Sequence, residues 1–244
     1  FSSFFCNTNF GIPFGLNCYD FIHHIFLLDV KGVTWSIAVE FKFYFILPFF
    51  ALSIVYISSY GIGATALFFL TSLILSQIVF PESFSVSDDS RLLPYMPIFL
   101  IGMFLAYFQK IINERVALKN YLKLYKYLGY AGAAGIIIMT PLVFSLFGER
   151  VPNHFFHKQF ILYAIFWSFI LLSSINVRGV LQKFFELPIL RYFGAISFSL
   201  YLFHPIFIMV FRYLKINGYL SAWIVLIIST ISAHISFYFL ERPF

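Results

Sequence analysis

The chain has 244 residues, of which 61% are hydrophobic, 23% aromatic and 11% charged, with a formal net charge of +6 and a mean hydropathy of +0.90. Soluble domains carry about 45–50% apolar and about 25% charged residues, so a soluble enzyme, a disordered chain and a disulfide-stapled secreted module are excluded. What fits is a polytopic, all-α integral membrane protein, whose basic excess orients it in lipid; no Arg/Lys cluster interleaves with aromatics as a nucleic-acid site requires, so no nucleic-acid partner is expected.

Residues 1–20 have no basic head and no long apolar core, so they do not read as a signal peptide. The chain opens on Phe1 and its earliest methionine is Met96, which predicts a longer or processed gene product. Cys6 and Cys18 are the only cysteines. An extracytoplasmic location permits a bridge between them, and two free thiols fit as well. No Cys/His grouping offers three or four ligands at metal-site spacing, so no metal is expected. His24 and Asp29 fit an H-x4-D acyltransferase pattern. That pattern is short, no Pro-Glu-Gly block follows it, and His23 and His24 read more simply as outer-interface residues.

Seven apolar stretches, at about 36–57, 62–80, 92–109, 127–147, 159–176, 194–213 and 220–240, are long enough to cross a bilayer core of about 30 Å, which takes roughly 17–25 helical residues. They are continuous rather than alternating, which argues for helices and against a membrane barrel. Pro48, Pro94, Pro97, Pro141 and Pro205 all fall within them and predict kinks. Gly129, Ala131, Ala133 and Gly135 form small-xxx-small pairs suited to close helix packing. No repeat of 20–50 residues is visible, and the whole of 1–244 reads as one domain.

The loops set the orientation. Residues 110–126 hold Lys110, Arg115, Lys119, Lys123 and Lys126 against Glu114, and residues 177–191 hold Arg178, Lys183 and Arg191 against Glu186. Between the other spans, 81–91 carries Glu82, Asp88 and Asp89 against Arg91. The positive-inside bias places 110–126 and 177–191 in the cytoplasm, 1–34, 81–91 and 148–158 outside, and the C-terminus inside.

The stretch Trp35–Pro48 reads WSIAVEFKFYFILP. Ser36, Glu40 and Tyr44 recur every fourth residue and make one polar helix stripe, with Pro48 as its next member. An intramembrane carboxylate costs several kcal/mol (about 2.5–3.5 for Asp at the centre on insertion scales) unless it is paired, protonated or hydrated. The stripe is therefore predicted to face the bundle interior. Two readings stand: Glu40 accepts a proton or orients an acceptor hydroxyl, or it is a structural carboxylate paired with Lys42 or a loop arginine. His204, before Pro205 and in helical step with Ser197 and Tyr201, either lines a cavity or bonds a neighbouring helix. His234, with Thr230 and Tyr238, reads as an interhelical hydrogen-bonding stripe.

The pattern W-S-x-x-x-E-x-x-F-Y-x-x-x-P, carried by Trp35, Ser36, Glu40, Phe43, Tyr44 and Pro48, resembles the signature of the membrane acyltransferase-3 family, which includes O-antigen, peptidoglycan and Nod-factor O-acetylases. Residues 192–205, YFGAISFSLYLFHP, and the terminal Glu241-Arg242-Pro243-Phe244 are similar to two further family patterns, and Phe21–Asp29 resembles the lead-in to the first. The resemblance implies a bundle of about ten helices, of which about seven lie here. It also implies a catalytic His in earlier helices, a pattern that residues 1–34 do not match. It further implies transfer of an acetyl group from cytoplasmic acyl-CoA, as donor substrate with no bound cofactor, to a cell-surface or lipid-linked glycan. The setting would be the bacterial inner membrane, with membrane lipid around the helices. On this resemblance Glu40 is the catalytic candidate, and Trp35, Ser36, Tyr44 and His204 bind substrate. Two other readings share the composition: an inactive remnant, and a carrier or flippase for a lipid-linked glycan.

Overall fold

The computed structural model describes residues 26–27, 35–81, 90–115, 121–146, 159–216 and 218–242. Cys6, Cys18, His23, His24 and Asp29, with the 148–158 loop and nearly all of 1–34, lie outside these residues. Among the described residues every regular element is helical. The chain divides into one unit over Trp35–Phe184 and a second that includes Phe185–Phe244.

The first unit holds α1 (Trp35–Ser58), α2 (Ile62–Val79), a 3-10 turn (Leu93–Tyr95) leading into α3 (Met96–Glu114), α4 (Leu122–Ile138), α5 (Pro141–Leu146), α6 (Phe160–Asn176) and α7 (Val180–Phe185). Gly61, at φ +102°, makes the tight turn between α1 and α2 in a conformation that a side chain would strain. The apolar residues Phe43, Met96 and Leu100 form one core, joined by Leu47, Phe50, Leu73 and Phe99. The rings of Phe43 and Phe99 stack there at 4.0 Å. A second core of Ile112, Tyr125 and Leu172 binds α3, α4 and α6 near their other ends.

The α4–α6 contact is the closest in the unit. It uses Gly129, Gly132 and Gly135, all buried. A Cβ built on Gly132 would lie 2.5 Å from the Phe166 carbonyl oxygen, and one on Gly129 would lie 2.3 Å from Ser173 Cβ. The small-residue motif expected from sequence is thus present, but its contact row is the three glycines rather than Ala131 and Ala133. Ala131 is exposed and Ala133 half-buried. At the end of this pair, Gln109 of α3 and Asn176 of α6 exchange amide hydrogen bonds in both directions, at 3.0 and 2.7 Å.

The second unit holds α8 (Pro188–Ala195), α9 (Ser197–Tyr213), α10 (Tyr219–Ser236) and a π-helical turn (Phe237–Glu241). The chain bends by 71° between α8 and α9. Ile196, at the bend, is fully buried. Gly218, at φ +115°, opens α10.

All seven apolar stretches carry a helix. Four are long and apolar enough to cross a membrane, and a fifth qualifies if α8 and α9 count as one bent span. The helices α4 and α6 have 17 residues each, or roughly 25 Å at about 1.5 Å per residue, short of a core of about 30 Å. The predicted stretch at 127–147 breaks at Met139 and Thr140, because Pro141 starts the new helix α5 rather than bending α4. The same reason separates the other prolines. Pro48 and Pro205 lie inside helices. Pro94 and Pro97 occupy first turns, where a missing N–H costs nothing, so they start helices and do not kink them.

Candidate functional site

In the first unit, the Trp35 indole stacks on Tyr95 at 5.0 Å and 26°, and Tyr95 meets the ring of Phe160 at 5.1 Å. The beginnings of α1, α3 and α6 therefore share one end of the unit. Tyr163, which donates to the Met139 carbonyl at 3.4 Å, brings the end of α4 to the same place. Tyr95, at the centre of this group, is buried between its neighbours. The opposite end carries Lys110, Lys123, Lys126 and Arg178, with Lys110 and Glu114 3.9 Å apart.

The polar stripe on α1 is real, but its facing differs from the expectation. Ala38, Val39 and Phe43 are the buried residues of α1. Glu40, Tyr44 and Pro48 are exposed, and Ser36 is half-buried. The four share a helix face, as the spacing requires, yet α2 and α3 cover the other face. The covered face is made by Phe43, Leu47 and Phe50, while equally apolar residues such as Phe45 and Phe49 stay exposed, so close packing rather than apolarity distinguishes the two faces. Lys42 donates to the Ser90 carbonyl at 2.7 Å. Among the described residues Glu40 has no hydrogen bond or ion pair.

In the second unit, His204 does line a cavity. Its volume is about 670 Å³, and its walls come from α9 and α10, with Ser197, Tyr201 and His204 on one side and Ser221, Val225 and Ser229 on the other. His204 Nδ1 lies 3.1 Å from the Leu200 carbonyl, and its ring is 5.9 Å from that of Tyr201. Ser229 is fully buried and its hydroxyl has no hydrogen-bond partner. His234 pairs instead with Tyr192, Oη to Nδ1 at 3.2 Å, which ties α8 to α10. That is an interhelical bond of the kind expected, made to a residue on another element rather than to Thr230 or Tyr238.

One cluster was not anticipated. Ser199, 1% exposed, donates to the Glu241 carboxylate, and the Ser236 hydroxyl lies 2.9 Å from the same serine oxygen. The sequence signal was available, since Ser199 and Glu241 each fall in a stretch with family resemblance, but nothing in either stretch says that the two meet. The Gln109–Asn176 pair was also missed. Its signal is an amide at the edge of each of two apolar runs. Among the described residues no three His, Cys, Asp or Glu side chains gather as metal ligands would.

Comparison with known proteins gives a consistent result. The sequence model of the acyltransferase-3 family, described as an acyltransferase domain, matches residues 1–241. The chain is 26% identical over 223 residues to "Putative O-acetyltransferase SACOL0978" of Staphylococcus aureus strain COL, covering 86% of this chain and 35% of that protein. It is 26% identical over 229 residues to the O-acetyltransferase OatA of Staphylococcus aureus strain NCTC 8325, covering 89% of this chain and 36% of that protein. The chain thus spans about a third of the length of these relatives. No solved structure matches it.

Proposed function

Since the chain belongs to the acyltransferase-3 family, we propose that it serves O-acetyl transfer, passing an acetyl group from acyl-CoA on the cytoplasmic side to a hydroxyl of a cell-surface or lipid-linked glycan. The single observation that carries this reading is the family match, which runs from residue 1 to residue 241 and takes in the signature around Glu40 and the one ending at His204. The chain is an integral membrane protein, with apolar helices long enough to span and mostly apolar exposed surfaces. We assign it to the bacterial inner membrane with its C-terminus in the cytoplasm.

In the transfer, the hydroxyl oxygen forms the new ester bond, the thioester bond breaks, and the CoA thiol leaves with the proton balance of the hydroxyl. Glu40 is the candidate to receive or orient that proton. Trp35, half-buried at the start of α1 and backed by the buried ring of Tyr95, is the aromatic candidate for a sugar ring arriving from outside. The basic residues at the other end of the first unit suit the phosphates of a CoA donor.

The test is transfer of radiolabelled acetyl from acetyl-CoA in membranes that contain the protein, read as label released from glycan by mild alkali. Glu40→Gln keeps the shape and removes the charge. The expected result is loss of most transfer, at least about 100-fold for a group in proton transfer, with normal membrane insertion. Full activity of Glu40→Gln would leave the carboxylate without a catalytic role. Absence of transfer by the unaltered protein would favour the carrier or remnant readings.

A further inference from the structure

The helix α8 is the most strongly two-sided element of the second unit. It reads PILRYFGA. At about 100° per residue, Tyr192, Ile189, Phe193 and Leu190 fall on one arc of its circumference, and Arg191 lies opposite the middle of that arc. Gly194 and Ala195, both small and exposed, flank Arg191. Leu190 and Phe193 are half-buried, but Ile189 stays 62% exposed, and Leu187, just before the helix, is exposed as well. Tyr192, at one edge of the apolar arc, reaches His234 of α10 at 3.2 Å. His234 lies about 10 Å inside the end of the last span at Glu241. The apolar arc is therefore turned toward the interior of the membrane.

The direction of α8 is fixed by a built corner. Ile196 is fully buried there, its N–H donates to the Tyr192 carbonyl at 3.1 Å, and the Ser197 hydroxyl donates to the Gly194 carbonyl at 2.8 Å. The corner turns α8 by 71° from α9. Eight residues make about 12 Å of helix, of which only about 4 Å advances along the α9 axis at that angle. The 17 residues of α9 reach roughly 25 Å alone and roughly 29 Å with α8, against a hydrocarbon core of about 30 Å. So α8 runs along the boundary of the core and not through it.

We infer that α8 is an interfacial helix that docks on the phospholipid headgroup layer, at the end of the second unit that holds Glu241, with Ile189 among the acyl chains and Arg191 among the phosphates. An apolar arc opposite a basic face is the pattern of helices that lie in the plane of a membrane surface. The charge is complementary too: a guanidinium makes charge-assisted hydrogen bonds to phosphate, and α8 carries no acidic residue that would repel it. The partner is the lipid surface, because lipid is what meets a helix at this depth. The inference stands independently of the proposed transfer reaction.

The test uses the full chain in phospholipid nanodiscs, with Cys6 and Cys18 replaced by serine. Nitroxide labels are attached singly to Ile189→Cys, Arg191→Cys and Gly194→Cys. All three positions are exposed, and a Cβ at Gly194 meets nothing within 4 Å. A fourth label, on Ile227→Cys, marks the exposed middle of α10. Collision rates with oxygen, which concentrates among acyl chains, and with a water-soluble nickel chelate give the depth of each label. The Ile189 label should lie about 5–10 Å below the phosphates, the Arg191 and Gly194 labels at or above them, and the Ile227 label deepest. All three α8 labels deep in the acyl chains would make α8 part of a bent span. Nickel-dominated collisions at all three would place it off the membrane. An Ile189 label that neither reagent reaches would mean that protein covers this face, and a shallow Ile227 label would remove the span from which the depth is reckoned. Each of these four results overturns the inference.

Discussion

Ser199 joins two parts of the chain that are 42 residues apart by donating to the carboxylate of Glu241. A hydrogen bond to a carboxylate contributes about 1.5–3 kcal/mol, and here the donor Ser199 is buried while Glu241 is half-buried. Ser199→Ala should therefore destabilise the protein by about 1.5–3 kcal/mol. In a Glu241→Ala background the same change should cost under about 1 kcal/mol, because the bond is already gone. Denaturant titration of the four proteins in detergent checks this; equal costs in both backgrounds would mean that the contact adds nothing. At this scale the sequence was a partial guide. Helical spacing showed that Ser36, Glu40 and Tyr44 share a face, but periodicity cannot tell which face of an almost wholly apolar helix its neighbours cover. For His204 the sequence left a cavity position and a bond to a neighbouring helix both open, and the carbonyl that its Nδ1 meets is set by how the ring is turned.

The helix pair α4–α6 depends on the absence of side chains. A methyl at Gly132 would meet the Phe166 backbone oxygen, which cannot swing aside as a flexible side chain would. Gly132→Ala should therefore force α4 and α6 apart and cost about 1–3 kcal/mol, the range of overpacked cores. A methyl added at Gly63 in α2 or at Gly102 in α3 would have nothing within 4 Å. There the change to Ala should stabilise by about 0.5–1 kcal/mol through helix propensity. Thermal unfolding of the three variants separates the two outcomes, and a neutral Gly132→Ala would show that the backbones yield. Helix existence was legible in the seven apolar runs, because long apolar runs bounded by Gly, Pro and charge have few alternatives; α7 and the start of α8 fall in 177–191, which reads as a loop, and were missed. Which of Gly129, Ala131, Gly132, Ala133 and Gly135 make the contact was not. Several small residues lie within two turns, and the partner helix decides among them. The prolines were overread as kinks for a similar reason: a Pro near the start of a run and a Pro in its middle look alike until the helix start is known.

For the molecule as a whole, orientation follows from the two ends of the first unit. Aromatic Trp35, Tyr95 and Phe160 gather at one end, and Lys110, Lys123, Lys126 and Arg178 at the other. By the positive-inside bias the basic end is expected to face the cytoplasm. Single cysteines replacing Lys123 and Arg178, in a background without Cys6 and Cys18, should react with a membrane-impermeant thiol reagent only after the cells are opened. A cysteine at Gln159, at the aromatic end, should react in intact cells. The reverse pattern would invert the orientation and move the proposed donor face to the outside. The paired amides of Gln109 and Asn176 also have a consequence in time. They are 67 residues apart, and ribosomes add about 5–20 residues per second, so Gln109 is synthesised roughly 3 to 13 s before its partner. In the folded chain the same Gln109 Nε2 also meets Asn113 Oδ1, one turn along the same helix, at 3.3 Å. Both partners of that contact lie within α3, so it can form before α6 is made, and the bond to Asn176 is then added to it rather than replacing it.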